Sequence, residues 1–439
     1  MTGALLASSG GAQELRGVTM EGYVTAVHSP NSFDVNGEHA TTAATTRYKL
    51  MGDKMKLTDS PLRAPQVGDY VWVVGGFDKQ TGTSRARTLI FWDDLNQKLS
   101  GIAVIEAVVS TGAEPVFEAD GYRIRISTAT ETSFHGDLKK LGDVSANTWV
   151  RYAGKRDNSG VLLATKAMFA PGKLKVAKDD VVGVAREEMR FQAPDATNKK
   201  DGQVNLEMFG GWRTVPADVE LQERINRVGM SVVPDYQKTM AESDPLKIKF
   251  RFYAVDDERL RSAICSSRTG LILTPRRVVE RLKNDDQLAA VLADGVAFTL
   301  QRQSTRLIAD ERIWLGEAAA DVAAATMDPW LGLDLVFGEA FAGAHANTKD
   351  QVLAEEQRGR IALALMADAG YDPWQAPEAW RLLGPKNLPK DSGALKYPNR
   401  SGYQLSILSM QYNGGKAAKG SEAARQPGGP LGGKKHHRL

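Results

Sequence analysis

NDDQLAAVLADGVAFTLQRQ, residues 284–303, decides how the C-terminal half of this chain is read. Leu288, Val291, Leu292, Gly295 and Phe298 recur at three- and four-residue steps, the period of an amphipathic helix. Asn284 is placed to cap its N-terminus, with Gln287 in the capping-box position three residues on. Asp285 and Asp286 fall in the first turn, where the helix dipole favours negative charge.

Working outward, the helical period starts near residue 215, with Val219, Leu221, Ile225, Val228 and Met230 on one stripe and Pro216 suited to a first turn. KIKFRFYAVDD (247–257) alternates as a strand, and SAICSSRTGLILT (262–274) reads as a second strand pair bent near Thr269 and Gly270. PRRVVERLKN (275–284) is a short helix leading into the central one. Downstream, a long helix over 352–369 ends in Gly370-Tyr371-Asp372-Pro373, and YPNRSGYQLSIL follows from Tyr397.

In that order of elements, with DQLAAVLA ahead of residue 294 and GYDP after the later helix, residues 215–412 resemble the zinc endopeptidases related to HtpX and the CAAX prenyl protease. The resemblance implies an α+β, mainly helical, zincin-like domain. It also implies His-Glu-x-x-His on the central helix and Glu-x-Glu-Ala-Asp on the later one. Carried over position by position, the first zinc His falls on Asp294, the general-base Glu on Gly295 and the second His on Phe298. Counting back from GYDP puts the third-ligand Glu on Gln357 and the Asp of that motif on Gly359. Phe and Gly offer no donor and a Gln carbonyl is a poor zinc ligand.

The histidine inventory makes the same point without alignment. Between residues 215 and 412 the sole histidine is His345; the others are His28, His39 and His135 upstream and His436 and His437 in the tail. No two-His zinc site can be assembled inside this segment, so the expectation is no metal, no cofactor and no intact catalytic residue. Phe298 is expected to plug the former metal cavity, and Asp294 to be met by Gln357, Arg358 or Arg360. The resembled family holds substrate as an added strand along the edge strand before its active-site helix, and that edge strand maps onto Gly270, Leu271, Ile272, Leu273 and Thr274. Such β-augmentation would survive loss of zinc, because backbone groups supply its hydrogen bonds.

The first half has a different texture. GYVTAV, FDV, TRYKL, YVWVVGGF and ARTLIFW are short β-rich runs between Gly, Asn and Asp turn signals. The order recurs from Gly101: GIAVIEAV answers GYVTAV, FEADGYRI answers FDVNGEHA, and WVRYAGKRDNSGVLLATKAMFA answers VWVVGGFDKQTGTSRARTLIFW. Gly82 and Gly160, Ala86 and Ala164, and Phe91 and Phe169 are each about 78 residues apart, which marks an internal duplication. Two small all-β, OB-like barrel repeats are expected, at 17–97 and 98–172. They are preceded by a disordered start or export-signal remnant (1–16) and followed by a polar linker (173–214) with one short strand near 181–185. Residues 413–439 read as a disordered basic tail.

Such barrels can stack bases, and Tyr70, Trp72, Trp92, Trp149, Arg151 and Tyr152 are the candidates. The same residues suffice to fill two small cores. Asp93, Asp94, Glu114, Glu118 and Asp120 interrupt the positive charge that phosphate would need. Nucleic acid is therefore not the expected partner, and nucleic-acid or polysaccharide binding stands as an alternative. A net charge of +3 over 439 residues agrees, much of it lying in KKHHRL at the end.

One cysteine, Cys265, excludes an intrachain disulfide and, with no histidine beside it, reads as a small apolar side chain rather than a nucleophile. Glu317, Asp321, Asp328, Asp334 and Glu339 have the spacing of a solvated helix face. No transmembrane segment is expected, since the most apolar stretch, 330–344, carries Asp334 and Glu339. The small-residue N-terminus and the envelope associations of the resembled family favour an expected location outside the cytoplasm, in the periplasm or cell envelope, over a cytoplasmic one. The leading expectation is an inactive peptidase homologue that binds protein; the alternative is an active metalloendopeptidase.

Overall fold

Alternating apolar residues in the first 170 positions build two β units, and the helical period after residue 219 builds a third part that packs on both. The computed structural model describes residues 17–52, 56–92, 99–157, 159–171, 205–206, 212–213, 219–244, 246–255, 264–265, 270–301, 348–384 and 399–412. The strand expected at 181–185, the acidic series from Glu317 to Glu339, His345 and the tail lie outside these residues.

The first unit comprises β1 (Val18–Ser29), β2 (Ser32–Val35), β3 (Glu38–Thr41), β4 (Arg47–Met51), β5 (Leu57–Asp59), β6 (Tyr70–Asp78) and β7 (Thr83–Trp92). They pair in the order β3-β2-β1-β6-β7-β4-β5, and a further parallel pairing of β3 with β7 joins the ends of five of them. The second unit comprises β8 (Leu99–Ser110), β9 (Val116–Ala119), β10 (Tyr122–Arg125), β11 (Glu131–Phe134), β12 (Trp149–Arg156) and β13 (Leu162–Ala170). Its order is β10-β9-β8-β12-β13-β11, with β10 returning in parallel to β13.

The two units match down to their irregularities. Each second hairpin, β2–β3 and β9–β10, turns through two residues in the left-handed region, Asn36-Gly37 and Asp120-Gly121, as a two-residue hairpin with right-handed strand twist requires. Each late hairpin bulges at a glycine, Gly75 or Gly154, where a Cβ would stand 1.9 or 2.2 Å from the facing carbonyl oxygen. Thr46 donates to the Ala86 carbonyl at 2.8 Å, and Thr130 to that of Ala164 at 2.7 Å. β6 alternates its faces: Val71 and Val73 enter one core, while Trp72 and Val74 pack with Met51 and Ile90.

Within the stretch expected as a linker, β14 (Asn205–Leu206) pairs with β15 (Trp212–Arg213). The third part then runs α1 (Val219–Val232), α2 (Asp235–Thr239), β16 (Arg251–Val255), β17 (Ile264–Cys265), β18 (Leu271–Pro275), α3 (Arg276–Val279), α4 (Asp285–Leu300), α5 (Thr348–Asp368), α6 (Gln375–Leu383) and α7 (Asn399–Gln411). Its core is the apolar side of α1, α4, α5, α6 and α7 closing over Phe252 and Ile272 of the small sheet. Among the described residues no helix is long and apolar enough to cross a membrane.

α4 is the expected central helix, almost wholly buried. Asn284 Oδ1 accepts from Gln287 N at 2.9 Å, and Gln287 Oε1 accepts from Lys283 N at 2.8 Å, one residue before the usual capping-box partner. Asp285 is held by Arg224 and Arg227 of α1, at 2.7 Å each. At the far end of α5, Gly370 (φ +85°) lets Tyr371 N reach Met366 O and Gly370 N reach Ala367 O, which is a Schellman stop. Tyr371 then bonds Ser231 of α1 at 2.9 Å, and Asp372 N donates to Asp286 at the start of α4 at 3.0 Å. Gly-Tyr-Asp-Pro is a junction that ties three helices together.

One expectation about this sheet is corrected. The strand order is β16-β18-β17, so Gly270, Leu271, Ile272, Leu273 and Thr274 form no free edge. Ile272 and Leu273 pair with Phe252 and Tyr253 on one side and with Cys265 and Ile264 on the other. All of β18 is buried, as a strand apolar on both faces must be. The outer side of β16 is occupied as well: the Gln222 carboxamide donates to Phe252 O at 2.8 Å and accepts from Ala254 N at 2.9 Å.

Candidate functional site

The five positions onto which a peptidase site would fall lie on α4 and α5, but they converge on a charge cluster and a docking surface. Asp294, buried in the middle of α4, accepts from Arg358 Nε at 3.1 Å. Arg400 Nη2, from α7, donates to the same carboxylate oxygen. Arg400 is 1% exposed and stacks its guanidinium on the Trp380 ring at 3.6 Å. Burial lowers its pKa from the usual arginine value, with Asp294 acting against that fall. Glu355 approaches Arg358 at 3.9 Å, so two carboxylates and two guanidiniums share a site with almost no water. Of the three partners expected for Asp294, Arg358 is the one that reaches it.

Gln357 turns the other way, donating to the Ile102 carbonyl of β8 at 2.9 Å. Gln301, the C-cap residue of α4, accepts from Val104 N of the same strand at 3.2 Å. Two carboxamides thus satisfy the stretch of β8 that precedes its pairing with β9. Arg360, two residues further along than Arg358, donates to Asp120 Oδ1 at 2.6 Å and to the Asp120 carbonyl at 3.0 Å. Tyr152 OH donates to the other Asp120 oxygen at 2.5 Å, and Arg360 Nη1 donates to Tyr403 OH at 2.5 Å. The second β unit is therefore pressed onto α5 through its β9–β10 turn, where a Cβ on Gly121 would meet Arg360 at 2.6 Å.

Phe298 is only partly buried, with the Arg358 guanidinium 5.6 Å from its ring centroid. The groups that enclose the Asp294 carboxylate are the Arg358 and Arg400 guanidiniums, as an ionised group taken from water requires. Gly295 supplies a carbonyl to Thr299 Oγ1 at 3.0 Å. Gly359 faces Tyr403 and Gln404 of α7, both 3.9 Å from where a Cβ would sit. That is ordinary contact, so Gly359→Ala should raise stability by about 0.5–1 kcal/mol through helix propensity alone, read as a higher urea midpoint.

These residues do not fit zinc. Asp294 is the single oxygen donor of zinc-ligand type among the five positions, and two guanidiniums surround it; a cation entering there would have to displace both. The candidates for base stacking fare no better in the second β unit, where Trp149, Arg151 and Tyr152 are all buried. In the first, Tyr70 spends its hydroxyl on Glu21 at 2.5 Å and packs edge-on against Tyr23 and Trp92.

One cluster escaped the sequence reading. His28 at the end of β1, Asp34 on β2 and His39 on β3 come together on the surface of the first β unit. His28 Nε2 lies 3.0 Å from Asp34 Oδ2 and His39 Nδ1 lies 3.0 Å from Asp34 Oδ1. Partial burial acts to raise the Asp34 pKa, and the two imidazoles outweigh it and hold the carboxyl below the usual range. Asp34 and His39 are direct cross-strand partners around the Asn36-Gly37 turn, a relation that FDVNGEHA carries in its spacing. His28 is the extra residue of a β-bulge, and no alternation rule shows that.

Residues 21–88 match a family model described as "Domain of unknown function (DUF5666)". The match begins within β1 and ends within β7, so it covers the first β unit and contains all three residues of that cluster. It does not extend to α4 or α5.

Proposed function

We propose that this chain is a catalytically inactive relative of the zinc endopeptidases typified by HtpX and the CAAX prenyl protease. It carries two OB-like units ahead of the peptidase-like part and works as a protein-binding scaffold. The observation that carries the proposal is the Asp294 carboxylate, sealed by Arg358 and Arg400 at the position of the first zinc ligand. A metal-bound water could not be generated there, and no general base stands at Gly295. The peptidase-like reading is supported by the order helix, strand, strand pair and central helix, and by the Gly-Tyr-Asp-Pro junction. The OB-like reading is supported by a meander, a later hairpin and a parallel closing pair in each β unit.

With β18 central and β16 capped by Gln222, an added peptide strand would pair with the outer side of β17. Incubating the full chain with unfolded casein and added zinc should leave the casein intact while the immobilised chain retains it. Zinc-dependent cleavage would overturn the inactive reading, and failure to retain casein would overturn the scaffold reading.

A further inference from the structure

The His28–Asp34–His39 cluster has the composition of a metal site, and the duplicated β unit supplies its control. In the second unit the same scaffold recurs with both β1 bulges: Val24 with Val35 answers Ile105 with Ala119, and Val27 with Phe33 answers Val108 with Phe117. The positions equivalent to His28, Asp34 and His39 are Val109, Glu118 and Arg123. There the carboxylate meets a fixed positive charge, Arg123 Nε to Glu118 at 3.3 Å, beside an apolar side chain. In the second unit a salt bridge satisfies this hairpin. The first unit instead sets two imidazoles around one carboxylate.

We propose that His28, Asp34 and His39 form a binding site for a divalent transition cation of the zinc–nickel–copper class. Two imidazole nitrogens and a carboxylate are the borderline donor set that such ions prefer, and three protein ligands leave a coordination position open to solvent. The candidate ligand atoms lie within 4.8 Å of one another. Two ligands each about 2.1 Å from one ion can stand at most ~4.2 Å apart, so the donors must close by roughly half an ångström. Both imidazoles can make that movement: the side chains of His28 and His39 are 52% and 38% exposed, on strand surface rather than in a packed core. The second ring nitrogen of His39 lies 3.4 Å from Ser32 Oγ, which is the outer hydrogen bond that orients a ligating imidazole.

The test is calorimetric titration of ZnCl2 into the chelator-stripped full chain, with three variants in parallel. His436→Ala with His437→Ala removes the imidazoles of the tail, and should leave one equivalent of zinc bound. His39→Ala and His28→Ala should each weaken binding by more than the roughly 10–100-fold that losing an outer-shell partner alone costs. His28 is exposed and His39 half-buried, and an unchanged circular dichroism spectrum will show that the fold is intact. Absence of 1:1 binding in the parent chain would overturn the site, as would binding that survives His39→Ala or that disappears with the tail histidines. The three ligands all lie in the first β unit, so zinc held by the peptidase-like part would survive both His28→Ala and His39→Ala and would thereby be told apart from this site.

Discussion

Asp294→Ala should destabilise the fold by about 3–5 kcal/mol, the cost of leaving a buried ion cluster without one partner. Arg358 and Arg400 both direct guanidinium nitrogens at this carboxylate, and Arg400 is fully enclosed between it and Trp380. Nε and Nη1 of Arg400 find no other acceptor among the described residues, so removal of Asp294 strands the charge. Urea denaturation followed by tryptophan fluorescence would measure the loss directly. A triple replacement, Asp294→Leu with Arg358→Met and Arg400→Met, should recover most of it, because buried ion clusters often gain nothing over apolar packing of similar volume. Had Asp294 been a zinc ligand, the single substitution would instead cost metal and activity.

The second large effect is expected at Arg360. Its guanidinium meets the Asp120 carboxylate, the Asp120 carbonyl and Tyr403 OH, and lies over the Tyr122 ring at 4.8 Å. Burial works to lower its pKa, but Asp120 and the surrounding tyrosines raise it well above the usual arginine value, so it is charged throughout the accessible pH range. Arg360→Ala leaves the buried Asp120 with Tyr152 as its remaining side-chain donor, at a cost of about 3–5 kcal/mol. Unlike Asp294, Arg360 joins the second β unit to α5. The loss should therefore split a single urea transition into two, with β-unit and helical signals separating. One coincident transition at the parent midpoint would show that the contact carries no coupling.

Legibility followed the range of the interaction. α4 could be read because its cap, Asn284 with Gln287, and its apolar spacing are local. The duplication was visible because glycines at bulges and turns, such as Gly75 and Gly154, repeat with their strands. The acid–arginine pairing of Asp294 was anticipated only as far as Arg358; Arg400, 106 residues away, gave no local sign. The strand 270–274 was misread as an edge because exposure depends on β17, a two-residue strand that no pattern isolates. LILT, apolar at nearly every position, was the signal that should have marked it as central. The histidine–aspartate cluster depends on a bulge that rotates His28 out of strand alternation, so counting histidines placed it in the first β unit without joining it to Asp34.

The docking of α5 onto the second β unit bears on the order in which the chain acquires its shape. Arg360 meets Asp120 across 240 residues and Gln357 meets Ile102 across 255. During N-to-C synthesis both β units leave the ribosome long before α5 exists, and each closes through its own strands alone. The helical part is then laid down against a finished template, with the β8 backbone and the Asp120 turn already in place to receive Gln357 and Arg360. A ribosome stalled far enough beyond residue 171 for the exit tunnel to have released that residue should display two protease-resistant β units, whereas the C-terminal part expressed by itself would leave the flank of α5 without its mould.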